Sequence, residues 1–348
     1  MTNPLRLPPA TQLYAEAQQA ADAVMRQFAC NAGVIGALVD RLKRTPPRFI
    51  VTCARGSSDH AATFAKYLFE IRLGLITASA APSLASVHAV KPRLDGALFV
   101  VISQSGKSPD LLRSAELARA AGAIVVALVN VADSPLAALA DVVIPLHAGP
   151  EISIAASKSY LCSLSALLHL TACWSGDVRL QAALAELPEA LRMAWAQDWS
   201  PLVEGLTDAR GLFVVARGVG LGAAQEAALK LKETCGLHAE AFSSAEVMHG
   251  PMAIVGPGLP VLCFAQDDST LHGTLDAAAQ FRRRGAPVWV AAPGVQHDGG
   301  LPQARSPHPA CSPLLAIASF YRAANALAIA RGRDPDAPPH LRKVTETT

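Results

Sequence analysis

The chain has 348 residues, 51% hydrophobic and 17% charged, with 30 basic and 28 acidic side chains and a net charge of +2. That is about two domains' length with ample apolar side chain for a core, which excludes a disordered chain. No basic stripe appears beyond Arg282-Arg283-Arg284, so no nucleic-acid partner is expected.

The first residues, Met1 to Arg6, carry no apolar run of the signal-peptide kind. Apolar runs such as 97–102 and 123–129 fall far short of the roughly 20 residues needed to span a bilayer, so no membrane partner is expected. The 7 cysteines are scattered without a CxxC pair. That spacing predicts reduced, core-filling thiols in a cytoplasmic protein, with neither disulfides nor zinc.

Strand-like and helix-like segments alternate along the chain. A β-rich run at 48–53 breaks at Gly56-Ser57-Ser58 and leads into a helical pattern over 59–71. The plan repeats with a strand at 98–103, a break at Gly106 and a helix over 109–121. Further strands are predicted at 123–130 and 141–146, the latter with Pro145 marking a strand end or a sheet edge. A long helix over 157–174 and a linker over 194–200 follow, and the plan then restarts with a strand at 212–218. A helix over 226–235 and strands at 261–264 and 288–291 continue it. Short apolar strands alternating with helices predict α/β architecture, two doubly wound parallel sheets in tandem. Ligands in such sheets bind beyond the carboxyl ends of the strands.

The loop Ser103-Gln104-Ser105-Gly106-Lys107-Ser108 follows a strand and precedes a helix opened by Pro109. Hydroxyls, an amide and backbone N–H groups at a helix start suit an anionic phosphate, although the loop matches neither nucleotide-binding glycine motif. Taken alone, it also fits a polar turn with a serine cap. Arg55-Gly56-Ser57-Ser58-Asp59-His60 has the same character and is expected to face the same ligand. The stretch from Gly149 to Lys158 reads, by itself, as helix-capping chemistry.

The densest group of titratable residues runs from Glu226 to Gly250. Helical spacing puts Lys230 and Glu233 on one face and lets Glu226 pair with Lys230. His238, Glu240, Glu246 and His249 follow without metal-ligand spacing, so general acid–base chemistry is the expectation. For Lys232, and for His249 taken alone, a solvated surface position is the plainer reading.

Together these stretches resemble the sugar isomerase (SIS) family, in particular the isomerase half of glutamine-dependent glucosamine-6-phosphate synthase. The resemblance runs over Ala54-Arg55-Gly56-Ser57-Ser58, Ser103-Gln104-Ser105-Gly106 and Ala148-Gly149-Pro150-Glu151. It continues through Ala228 to Glu233, His238-Ala239-Glu240-Ala241, His249-Gly250-Pro251 and the tail from Leu341 to Thr345. It implies tandem SIS domains at 31–195 and 196–333, a helical segment at 1–30, and a tail at 334–348 that closes over the site.

The resemblance further implies a sugar phosphate held by Ser58, Ser103, Gln104, Ser105 and Ser108, with Gly56, Ser57, Glu151 and Ile154 in the binding set. Glu233 would move a proton between C1 and C2 of the open-chain sugar. His249, reaching in from the neighbouring subunit of a homodimer, would assist ring opening. Lys230 would correspond to a Schiff-base lysine, and Lys343 would contact the substrate. No metal or organic cofactor is implied.

Three positions depart from the synthase pattern: Arg55 stands in place of Cys, Lys107 in place of an acid, and Ala156 in place of Ser. Thr2 stands where the synthase's glutaminase nucleophile would be, so a stand-alone deaminase of glucosamine 6-phosphate is the expectation. A fructosamine-phosphate deglycase, a galactosamine-6-phosphate deaminase/isomerase, a synthase half and a non-catalytic sugar-phosphate sensor are the alternatives.

Overall fold

A computed structural model describes residues 11–88, 90–294 and 298–343. The expectations for Met1 to Arg6 and for Val344 and Thr345 fall outside those residues. Five strands, β1 (Phe49–Cys53), β2 (Thr77–Ser79), β3 (Ala97–Ser103), β4 (Ile124–Val129) and β5 (Val142–Pro145), form one sheet in the order β2-β1-β3-β4-β5. Strands β6 (Gly211–Ala216), β7 (His238–Ser243), β8 (Val261–Phe264), β9 (Val288–Ala291) and β10 (Gly300–Leu301) form a second, ordered β10-β9-β8-β6-β7. Every pairing is parallel, and the second order is the first one read from the other edge. The tandem α/β plan is therefore present, and Pro145 lies on an edge strand, where a missing N–H costs no ladder bond.

All seven residues of β3 are buried, which explains why it reads as a continuous apolar run. The strand β7 was not expected. It lies at a sheet edge, so His238 and Glu240 stay exposed while Ala239 between them is buried. The expected linker over 194–200 is instead the junction of two helices, Val178–Trp195 and Ser200–Leu206. The helix Ala20–Arg44 runs unbroken across residue 30, joining the N-terminal segment to the first half.

One apolar cluster joins the halves. It includes Ile50 and Leu98 from the first sheet, Val214 and Leu262 from the second, and the buried face of the helix Lys158–Ser175. The helix Ser312–Ala330 belongs to the same cluster and packs against Leu221–Cys235. The expectation that every apolar run is too short for a bilayer fails here. Pro309–Ala330 is, among the described residues, the one helical span long and apolar enough, and 78% of its most apolar window is buried in the protein. Five of the seven thiols are buried and all seven are free, consistent with a core-filling use.

Strand order reverses between β1 and β3, which opens a crevice at their carboxyl ends. The matching crevice between β6 and β8 is filled. Gln266 donates to the Arg217 carbonyl at 2.8 Å, and a void of only about 10 Å³ remains beside it. The duplication thus leaves one of the two crevices, that of the first half, open.

Candidate active site

The open crevice is a cavity of about 340 Å³ lined by both glycine-serine loops, by residues 154–160 and by the tail from Leu341 to Lys343. The loop after β3 is shaped by its own side chains. Ser103 Oγ accepts the Gly106 N–H at 3.0 Å, and Ser105 Oγ accepts the Lys107 N–H at 3.3 Å. Gly106 sits at φ 64°, where a Cβ would stand 2.2 Å from Ser134 Oγ, so no other residue fits without moving Ser134. Ser108 caps the helix Pro109–Ala120 by position, its hydroxyl makes no capping bond, and it lines the cavity. The helix Ser57–Leu73 starts at the same cavity, so two helix N-termini face one space.

The second half reaches this cavity through the helix Leu221–Cys235. Gly222 allows close approach: a Cβ there would lie 2.5 Å from the His60 carbonyl of the facing helix. Four residues further along, Glu226 is completely buried against that helix. It accepts from Ser57 Oγ at 3.1 Å, His60 Nδ1 at 3.0 Å and Tyr321 OH at 3.0 Å, and pairs with Lys230 at 3.3 Å. Burial pushes its carboxyl up, but the Lys230 charge and the bonds from His60 and Ser57 outweigh this and hold it below the usual range. Lys230, also buried, donates to Ser57 Oγ at 3.2 Å and is in a very close ion pair with Glu233. Burial alone would lower its pKa, yet Glu226 and Glu233 raise it above normal, so the amine is an ammonium. Only Glu233 of this row lines the cavity, held at its wall by Lys230.

The far wall is tied by Glu151. Its buried carboxylate accepts the N–H groups of Ser157 (3.1 Å) and Ser159 (2.9 Å), capping the helix Lys158–Ser175 as the sequence predicts. It also pairs with Lys343 at 3.2 Å, whose ammonium donates to the Ser153 carbonyl at 2.6 Å. Burial opposes ionisation of Glu151, but Lys343 and Ser159 prevail and keep its pKa low. Glu16, from the N-terminal helix, accepts the N–H groups of Ile152 and Ser153 and so fixes the same loop. Tyr160 lines the cavity, and its buried hydroxyl has no hydrogen-bond partner among the described residues.

The SIS domain model matches residues 46–172 and 205–292, which contain β1 to β5 and β6 to β9. This chain belongs to the SIS domain family. An isomerizing glutamine–fructose-6-phosphate aminotransferase of Aeropyrum pernix is 36% identical over 312 residues, 83% of this chain and 49% of that protein. The Thermotoga maritima counterpart is 30% identical over 345 residues, 89% and 56% of the two chains. The SIS chain thus spans about half the length of the curated relatives it matches. A Silicibacter pomeroyi structure described as a phosphosugar isomerase is 43% identical with a TM-score of 0.90, covering 94% of this chain and 100% of that one. The Thermotoga maritima glucosamine-6-phosphate deaminase superposes with a TM-score of 0.77 at 20% identity, covering 97% and 100%, a likeness of fold.

Within this SIS fold, Gly56, Ser57, Ser58, Ser103, Gln104, Ser105, Ser108, Ile154, Glu233 and Lys343 all line one cavity. Glu151 lies beneath it and acts through Lys343 and the 157–159 backbone. Lys230 lies behind Glu233 and does not line the cavity; a Schiff base on it would first have to break both of its ion pairs. His249 is exposed after β7 and lines no part of its own chain's cavity, nor do His238, Glu240 and Glu246. The sequence reading left out Tyr160 and Glu16, and it gave His60 and Arg342 no role of their own within the stretches it singled out. The partners of Glu16 and His60 lie far away in sequence, as with the 166 residues that separate His60 from Glu226.

Proposed function

We propose that this chain is an amino-sugar phosphate isomerase-deaminase that converts glucosamine 6-phosphate and water into fructose 6-phosphate and ammonium. The observation that carries the reading is the convergence of a serine cradle at two helix N-termini with the carboxylate of Glu233 in one cavity. The cradle anchors the phosphate, which places the opposite, reacting end of the open-chain sugar at Glu233. Glu233 takes the proton from C2 and returns it to C1, while the C1 oxygen gains a proton and the C2 nitrogen loses one, so the aldehyde becomes an alcohol and the amine an imine. Water adds to C2 and the C–N bond breaks, which leaves the ketone and releases ammonia, protonated in water. Lys230 orients Glu233, and Lys343, which lines the cavity, contacts the sugar's oxygens.

The curated relatives are aminotransferases, and this chain spans about half of their length; the residues that line the cavity are read here as acting on the sugar. Ammonia near neutral pH is mostly ammonium, which lacks the lone pair that synthesis requires, so synthesis from free ammonia is expected to be inefficient and deamination is the direction proposed. The test is ammonia release from a panel of amino-sugar phosphates, with fructose 6-phosphate detected in parallel. Glutamine plus fructose 6-phosphate is run alongside, and glutamine-dependent synthesis by this chain would overturn the reading. An inactive panel would leave the cradle as a sugar-phosphate sensor.

We assign ring opening to His249 of a neighbouring subunit, the role that the family resemblance implies; in this chain the side chain is exposed and does not line the cavity. The functional unit is then a homodimer. Mixing inactive His249→Ala subunits with inactive Glu233→Gln subunits is expected to restore part of the activity. Proven subunit exchange without recovery counts against the shared site.

A further inference from the structure

One cation at the mouth of the serine cradle is used by none of the steps above. Arg55 follows β1 and lines the same cavity as Ser103, Gln104, Ser105 and Ser108. Its Nε and Nη2 reach a single oxygen, Asp110 Oδ2, at 2.7 and 2.6 Å. Asp110 lies in the first turn of the helix Pro109–Ala120, two residues after Ser108, and its other oxygen accepts the Leu111 N–H at 2.8 Å.

The burial of the two partners is unequal. The Asp110 side chain is 1% exposed, whereas that of Arg55 is 49% exposed. A buried carboxylate at the helix start therefore fixes the direction of a guanidinium whose outer edge stays open. Two of the five guanidinium N–H groups are taken, and the rest keep the planar fork that matches a phosphate. Lys107, the other unexpected cation of this region, is exposed and does not line the cavity.

Resting on the phosphosugar reading above, we propose that Arg55 is a direct ligand of the substrate's phosphate and that Asp110 is its positioning residue. A salt bridge serving only to clamp the two loops together would hold the protein's shape without contributing to anion affinity.

Asp110→Asn separates the two roles by sign. It removes a negative charge beside the cradle, so charge alone predicts tighter anion binding. Loss of orientation predicts weaker binding, and weaker binding is expected.

The experiment is calorimetric titration of the full chain with inorganic phosphate, which needs no turnover. Arg55→Gln is expected to weaken binding roughly 10- to 100-fold, the scale of lost hydrogen bonds to a charged group. Because Arg55→Gln takes the guanidinium away from the buried Asp110 carboxylate, the double variant R55Q/D110N is titrated as well and should show the same loss. Arg55→Lys keeps the charge without the fork and should fall between, while Lys107→Ala should bind as the parent does. KM for the sugar phosphate should rise with the phosphate constant while kcat stays within a few-fold.

Parent-like phosphate binding by R55Q/D110N, tighter binding by Asp110→Asn, or an equal loss in Lys107→Ala each overturns the assignment of Arg55 and leaves the phosphosugar reading standing. Failure of the parent chain to bind phosphate or any sugar phosphate overturns both.

Discussion

Glu233→Gln is expected to slow exchange of the sugar's C2 proton with solvent by about 10²- to 10⁴-fold, the usual worth of a positioned general base. The amide keeps the shape of the carboxylate and can still accept from Lys230, but it cannot take a proton. Lys230 retains Glu226 as an ion-pair partner, so the variant should fold and melt close to the parent chain. The phosphate cradle is untouched, so KM should change little while the exchange rate collapses. Incorporation of deuterium at C2, followed by NMR in heavy water, reads the step directly. An exchange rate near that of the parent would remove Glu233 from the base role and with it the isomerase chemistry proposed here.

The parts of the site that were legible in sequence are those with a local physical cause. A strand that ends in Gly and Ser and passes into a helix announces an anion cradle, and both such loops face one cavity. Helical spacing put Lys230 and Glu233 on one face, and their contact follows from it. Strand β7 was missed because, at a sheet edge, its alternating polar residues read as a charged loop. Strands β2 and β10, of three and two residues, are too short to leave a pattern.

The environment of Lys230 was hidden for a different reason. It depends on Gly222 letting one helix approach another, which brings Ser57 and His60 of the first half onto Glu226 of the second. Nothing within either segment announces that approach. The same holds for Arg55, whose partner Asp110 lies 55 residues away.

That buried cluster makes the last prediction, in which stability and catalysis separate. Lys230→Met leaves the Glu226 carboxylate fully buried with the donors Ser57, His60 and Tyr321 but without its lysine. Breaking a buried ion pair by removing one member typically costs about 3–5 kcal/mol, and that loss of unfolding free energy is expected near neutral pH. The pH dependence should change sign. In the parent chain the Glu226 carboxyl is held below the usual carboxylate range, so its contribution is present above that range and fades as pH falls through the lowered value. Without Lys230, burial dominates and raises the carboxyl, so the variant's deficit should shrink on acidification, because a protonated Glu226 needs no cation. The double variant E226Q/K230M should then regain most of the lost stability and lose that pH dependence. It should remain inactive, since no ammonium is left to hold Glu233 at the cavity wall. Urea unfolding at several pH values, with the exchange assay run on the same samples, measures all of this. A Lys230→Met deficit that does not vary with pH would mean that Glu226 carries no stranded charge. Activity restored together with stability in the double variant would mean that Lys230 only fills space.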